Sequence, residues 1–169
     1  MQQQRRVIVT GASSGIGAAA VRMFRANGWA VLGVARRADR LAALAAETGC
    51  DVLVVDVTDG DSVAAMVEHL EQLGPVHALV NNAGGAFGQD SIESGDVDEW
   101  RRMYEVNVIG VKRVITAVLP LLRRAVAPRD SATIVNITSI AGHIAYEGGG
   151  GYNAAKFAAH ALTAVLRLE

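Results

Sequence analysis

One cysteine, Cys50, occurs in 169 residues, which rules out an intrachain disulfide and a metal site built from cysteine thiolates. The histidines His69, His77, His143 and His160 share no metal-ligand spacing and read as structural, so no metal is expected. No uninterrupted apolar stretch is long enough to cross a bilayer. The N-terminal run MQQQRR enters a strand-like segment without the apolar core of a signal peptide. An excess of either charge is missing too. The formal net charge is -1, and the pairs Arg5–Arg6, Arg36–Arg37, Arg101–Arg102 and Arg123–Arg124 are separated by apolar segments. Neither nucleic acid nor an anionic membrane is an expected partner. What is left is a globular protein expected in the cytoplasm, 51% hydrophobic and 20% charged. Its length suits one domain, spanning 1–169, rather than two.

The order of elements says more than the composition. Val7–Ile8–Val9 is a short β-branched apolar run, as a strand buried on both faces should be. A glycine-rich turn and a helix over 15–27 follow, then a strand over 30–35, a helix over 37–48 ending near Gly49, and a strand over 51–55. A helix over 59–73 closes at Gly74–Pro75, and a strand covers 77–81. Helical periodicity returns near Asp96 and runs to about Ala125. Within it Val108, Val111, Ile115, Val118 and Leu122 keep one apolar face, which packs either on the chain's own sheet or on a partner subunit. Pro120 is expected to kink or divide this helix. Residues 128–131 read as a turn, 133–138 as a fifth strand and 152–169 as a last helix, with Gly148–Gly151 forming a pliable approach to Tyr152. Parallel strands need crossover helices, so this alternation points to an α/β fold, a parallel sheet with helices on both faces.

The turn TGASSGIG at 10–17 lies between the first strand and the first helix. Gly11, Gly15 and Gly17 permit a tight turn and a close backbone approach, and the free N–H groups of the helix start favour a pyrophosphate. Alone, such a turn is equally compatible with no ligand; its place after the first strand of a doubly wound sheet favours a nucleotide. At the end of the second strand stand Arg36 and Arg37, with no acid before Asp39. Arginine there suits the 2′-phosphate of NADP, where a carboxylate would accept from the ribose of NAD, so NADP(H) is expected ahead of NAD(H). Asp56 either accepts from the adenine amino group or simply flanks a helix.

Tyr152 and Lys156 are four apart at the start of a helical pattern and share a face. A phenol is a poor acid–base group near neutral pH, and a neighbouring ammonium favours the phenolate. On its own the pair fits an ordinary helix surface. Yet Lys112 and Lys156 are the only lysines among sixteen basic residues, so a lysine here departs from the chain's preference for arginine. Asn107 sits inside a helical pattern it suits poorly, through either a local distortion or a solvent-facing side chain. Ser139 follows the fifth strand, where a reacting group belongs.

TGASSGIG, Asp56–Val57, Asn81–Asn82–Ala83–Gly84, Asn107, Ser139 and Tyr152-x-x-x-Lys156 stand in an order and spacing that resemble the short-chain dehydrogenase/reductase family over the whole sequence. The resemblance implies a three-layer, doubly wound Rossmann fold. It implies Tyr152 as the catalytic acid/base, Lys156 binding the nicotinamide ribose and lowering the tyrosine pKa, Ser139 binding the substrate oxygen, and Asn107 holding a water that links Lys156 to solvent. Implied cofactor contacts are Gly11, Ser13, Ser14, Gly15, Ile16, Gly17, Arg36, Arg37, Asp56, Val57, Asn82, Ala83, Gly84, Tyr152 and Lys156, with Asn81 bracing its strand. Family members that use NADP often carry a basic residue where this chain has the neutral Ser14, and Ala155 replaces a frequent small hydroxyl residue. The reaction expected is hydride exchange between NADP(H) and a small-molecule carbonyl or alcohol. The alternative is a dinucleotide-binding sensor or scaffold without turnover. The resemblance also implies a homo-oligomer, a dimer or tetramer, and further strands with a substrate loop after residue 169. The sequence ends inside a helix with no C-cap glycine or proline, so it is expected to be C-terminally incomplete. The substrate itself is not legible; His143, Ile144 and Ala145 point to a partly apolar pocket.

Overall fold

The computed structural model describes residues 4–126 and 131–169. The strands β1 (Arg6–Thr10), β2 (Ala30–Ala35), β3 (Asp51–Val54), β4 (Ala78–Asn81) and β5 (Thr133–Asn136) are all parallel and lie in the order β3-β2-β1-β4-β5. The helices are α1 (Gly15–Ala26), α2 (Ala38–Thr48), α3 (Gly60–Leu73), α4 (Val97–Tyr104), α5 (Gly110–Ala125) and α6 (Gly150–Leu166). Successive strand residues point to opposite faces. Accordingly Ile8, Leu32, Val34 and Leu79 pack with Val63, Met66 and Leu70 of α3 and Val114, Val118 and Leu122 of α5. Val7, Val9, Val31, Ala78 and Val80 pack with Val21 of α1 and Leu41 and Leu44 of α2 on the other side. This is the three-layer, doubly wound parallel sheet of a Rossmann fold. The chain moves outward from β1 to β3 and then returns to the opposite side of β1, so strand order reverses between β1 and β4. In open α/β sheets that reversal opens a crevice at the carboxyl ends of the strands.

Several local expectations need correction. Pro120 does not divide its helix: α5 runs from Gly110 to Ala125 through it. Proline cannot donate to the carbonyl four residues back, but Pro120 and Thr116 are both exposed, so water can serve that carbonyl. The apolar face of α5 belongs to the chain's own core, with Ile115, Val118 and Leu122 buried and Val111 packed against them. Between α4 and α5 the helix widens into a π turn over Glu105–Ile109, which contains Asn107. β5 is shorter than expected and ends at Asn136; the Ile137 N–H still donates to Asn81 O at 2.8 Å, after which Ser139 starts a short 3₁₀ turn over Ile140–Gly142. α6 begins two residues before Tyr152 and stops at Leu166. Of the turn expected over 128–131, residues 128–130 lie outside the described residues.

The glycines ahead of Tyr152 serve packing more than pliability. A Cβ at Gly150 would sit 2.7 Å from Trp100 Cζ2, and one at Gly151 would sit 2.5 Å from Met103 Cε. Side chains there would push α6 away from α4. Among the described residues no helix is long and apolar enough to cross a membrane.

Candidate active site

A cavity of about 580 Å³ opens at the carboxyl ends of β1 to β4. It is lined by Gly11, Ser13, Ser14, Gly15 and Ile16 after β1, Arg36 and Arg37 after β2, Asp56 and Val57 after β3, and Asn82, Ala83 and Gly84 after β4. Twelve of the fifteen expected cofactor contacts thus meet in one place. Gly17 stands behind the turn, and Tyr152 and Lys156 lie beyond Gly84.

The turn after β1 is shaped to admit a ligand's phosphates closely. Gly11 and Gly15 have φ of 66° and 53°, the left-handed region in which a side chain is strained. A Cβ at Gly17 would strike the Gly11 carbonyl and come within 2.6 Å of Asn82 Nδ2. No side chain caps the start of α1 and its first turn holds no acid, so its leading N–H groups and positive end are left for an anion. Thr10 and Asn82 tie the turn to β4. Thr10 Oγ1 accepts from the N–H groups of Asn82 and Ala83, both at 3.0 Å. Asn82 Nδ2 donates to the carbonyls of Thr10 at 3.1 Å and Gly11 at 3.2 Å. These observations fit a bound dinucleotide.

The two arginines diverge. Arg37 folds back across the turn, donating to Ser13 Oγ at 3.1 and 2.8 Å and to Ser14 Oγ at 2.6 Å. A guanidinium therefore stands beside Ser14, where the turn's own sequence offers no charge. Arg36 is exposed at the rim and lies near enough to favour ionised Asp56. Burial opposes the charge on Asp56, but the Thr58 N–H at 2.9 Å and hydroxyl at 2.7 Å, with Arg36 and Arg113, outweigh it and hold the carboxyl below its usual range. Asp56 thus both lines the cavity and braces the start of its loop. Arg113 of α5 donates to the Val57 carbonyl at 2.8 Å and pairs with Glu105 at 3.0 Å, fixing the opposite wall.

Gly84 links this cavity to the tyrosine and lysine. A Cβ there would come within 2.6 Å of Asn107 Oδ1 and 3.5 Å of Lys156 Nζ. Lys156 is 7% exposed; its ammonium makes one long hydrogen bond, to Ile137 O at 3.4 Å, and lies 5.6 Å from the centre of the Tyr152 ring. Burial pushes this ammonium below the usual lysine value. Asn107 is 1% exposed, so the distortion reading holds over the solvent-facing one. Its Nδ2 donates to Gly85 O and Met103 O, each at 2.8 Å, and its Oδ1 accepts from Gly85 N at 3.3 Å. Asn107 therefore clamps the strand-end loop that carries Gly84. Ser139 is partly buried, and its Oγ accepts from Ala141 N at 3.2 Å at the head of a turn that abuts α6. Asn81 donates to Asn136 Oδ1 at 2.9 Å, bracing β4 against β5 as expected.

Sequence reasoning passed over Phe87, which lines both the cavity and the narrow recess that holds Tyr152, with Arg102 3.9 Å over its ring. An aromatic three residues past Gly84 was the available signal. It also passed over Thr10 and Arg113, whose bonds to Asn82 and Val57 span 72 and 56 residues. Of the histidines, His77 Nδ1 accepts from Arg6 N at 3.2 Å. The exposed rings of His143 and His160 meet edge to face at 4.3 Å. Among the described residues no three potential metal ligands cluster.

Comparison with known proteins places this geometry among relatives. The model of the short chain dehydrogenase family matches residues 5–169. An uncharacterized oxidoreductase of Mycobacterium tuberculosis is 46% identical over 167 residues, covering 99% of the chain. One of Staphylococcus saprophyticus is 39% identical over 167 residues, covering 96%. The chain spans 64% and 66% of the lengths of these two relatives. An alcohol dehydrogenase from the archaeon Thermococcus sibiricus, complexed with 5-hydroxy-NADP, superposes with a TM-score of 0.87 at 32% identity, over 98% of this chain and 71% of that one.

Proposed function

The chain belongs to the short chain dehydrogenase family, and from that premise we propose that it is an oxidoreductase moving a hydride between NADP(H) and a carbonyl or alcohol. The observation that carries this reading is Lys156. A buried ammonium with one long hydrogen bond, beside Tyr152 and against the wall of a dinucleotide-sized cavity, is costly to keep, and that cost supports a role in holding the cofactor and assisting Tyr152. The bound nicotinamide supplies or accepts the hydride. For reduction, Tyr152 donates a proton to the substrate oxygen as negative charge develops there, and the Lys156 ammonium stabilises the tyrosine oxygen left behind. Ser139 donates its hydroxyl to the same substrate oxygen, and Asn107 holds Gly84 and Gly85 so that the cavity wall and Lys156 keep their spacing. In oxidation the proton runs the other way. Residues 1–169 act as one dinucleotide-binding and catalytic unit.

NADP(H) is favoured over NAD(H) because the exposed Arg36 guanidinium stands at the cavity rim with no carboxylate directly following β2 in the sequence, while Arg37 braces the turn through Ser13 and Ser14. The complex of the Thermococcus sibiricus enzyme with an NADP derivative is consistent with this. We expect the protein in the cytoplasm, where the NADP(H) pool is, and as a dimer or tetramer, to be checked by fractionation and light scattering.

The deciding experiment compares wild type with Tyr152→Phe. Wild type is expected to bind NADP tighter than NAD in a direct titration and to oxidise NADPH with some member of a panel of short aldehydes and ketones. Tyr152→Phe is expected to lower kcat by roughly 10² to 10⁴-fold with little change in dinucleotide affinity. Tight binding without turnover on any carbonyl or alcohol would instead favour a dinucleotide sensor or scaffold.

A further inference from the structure

Asn153 follows Tyr152 in α6 but points about 100° away around the helix. It is 6% exposed, and nearly all its hydrogen-bonding capacity goes to a single segment. Nδ2 donates to the carbonyls of Ala141 at 2.8 Å and Ile144 at 2.9 Å, while Oδ1 accepts from Tyr146 N at 3.4 Å. That segment is the one that begins at Ser139, whose Oγ accepts from Ala141 N at 3.2 Å and whose carbonyl accepts from Gly142 N at 2.9 Å. Apolar burial holds it only at the small Ala141, 2% exposed, while Ile140 is 72% exposed, Ile144 58% and Tyr146 47%. Close backbone approach does part of the work, since a Cβ at Gly142 would lie 2.7 Å from Lys156 O, and one at Gly149 would strike Asn153 Oδ1 and the Tyr146 ring. The side chain that fastens the loop therefore sits next in sequence to the proposed proton donor.

We propose that Asn153 is a positioning residue that locks the 139–146 segment onto α6 and so fixes the Ser139 hydroxyl relative to the Tyr152 hydroxyl. The inference rests on the roles proposed above for Ser139 and Tyr152. It goes beyond them by naming what sets their mutual geometry. A buried amide that satisfied only its own helix would leave the loop and the chemistry indifferent to its loss.

The test uses the full chain as wild type, Asn153→Ala and Asn153→Ser, the last keeping one donor. Two readouts are taken: amide hydrogen exchange over 140–146, and NADPH-driven reduction of the best aldehyde or ketone from the panel. In Asn153→Ala, exchange at Ile144 and Tyr146 is expected to rise at least tenfold while α6 beyond Lys156 stays protected. Its kcat should fall about 10 to 100-fold, the scale of a misplacement near 1 Å, with NADP affinity within about threefold of wild type. Asn153→Ser should recover part of both. Unchanged exchange in Asn153→Ala overturns the clamp. So does turnover within about twofold of wild type despite faster exchange, or equal losses of melting temperature, NADP binding and turnover in both variants. A wild type that binds NADP but reduces nothing overturns the functional reading instead, and the exchange data still decide the clamp.

Discussion

Lys156→Met separates stability from activity at one position. In the folded chain Lys156 is 7% exposed, the bond from its ammonium to Ile137 O is 3.4 Å long, and the Tyr152 ring lies 5.6 Å away. Desolvating an ion costs several kcal/mol even after relaxation. Against this stand a stretched charged hydrogen bond, at the low end of about 1.5–3 kcal/mol, and a ring contact of about 0.5–1 kcal/mol. Methionine keeps most of the stem, fills the same space and carries no charge to desolvate. Lys156→Met is therefore expected to stabilise the cofactor-free protein by about 1 kcal/mol near neutral pH, raising Tm by about 2–4 °C, while kcat falls at least about a hundredfold.

The pH dependence follows from the direction of the lysine shift. Its folded value is depressed below 10.5, so between the two values the unfolded chain binds more protons and wild-type stability rises with pH. The variant lacks that rise. Its advantage is largest at neutral pH and fades toward pH 10.5. Thermal melts by circular dichroism across this range check the claim. A variant that melts lower than wild type at neutral pH would show the ammonium to be net stabilising, and the argument from cost would fail.

Three further outcomes follow from the geometry. Gly17→Ala is expected to weaken NADP binding at least about tenfold in a fluorescence titration, because its methyl meets the Gly11 carbonyl and Asn82 Nδ2 and forces the phosphate turn to move; unaltered affinity would refute that reading. Arg36→Asp is expected to abolish or reverse the preference for NADP over NAD, while Arg37→Ala, which frees Ser13 and Ser14, should weaken both by a similar factor of about 3–10; a purely NADP-selective loss in Arg37→Ala would make it a phosphate ligand rather than a brace. Pro120→Ala restores an N–H in an exposed helix turn that is already regular and is expected to stabilise by about 1–3 kcal/mol, read as a higher Tm; a lower Tm would show that the turn depends on proline.

Strand and helix order was legible because it depends on local signals. β2 is a six-residue apolar run between Gly28 and Arg36, and its bounds match the expectation residue for residue. Gly49 ends α2 with φ of 65°, as a glycine after a helix should. The cavity was legible for a different reason: the residues that line it follow successive strands, so placing the strands places them. What could not be read depends on partners far along the chain. The misfit of Asn107 in its helical pattern points to a distortion, but nothing near it indicates that its amide reaches Gly85, 22 residues back. The glycine run before Tyr152 reads as pliable until Trp100 and Met103 are found against it. The direction of Arg37 depends on a turn 23 residues earlier.

The buried polar residues make the same division energetically. Apart from His77, which accepts from Arg6 N and so ties the approach to β4 to the start of β1, they are Thr10, Asn81, Asn107, Asn153 and Lys156, and all five stand at the carboxyl end of the sheet or on the helices packed over it. Burying polar groups is favourable only when their hydrogen bonds are met. Thr10, Asn81, Asn107 and Asn153 each make at least one hydrogen bond of 3.0 Å or shorter, and what they hold in each case is backbone or a neighbouring amide around the cavity: the turn after β1, the β4–β5 pair, Gly85, and the Ser139 segment. Lys156 does not, with one long bond for three donors. Four of the five are thus explained by the rigidity they confer, and the fifth only weakly, by its long bond to Ile137 O and the Tyr152 ring beside it. The apolar packing of the fold lies in three clusters that do not include that ammonium, so its replacement by methionine is the sharpest test of whether chemistry keeps it there.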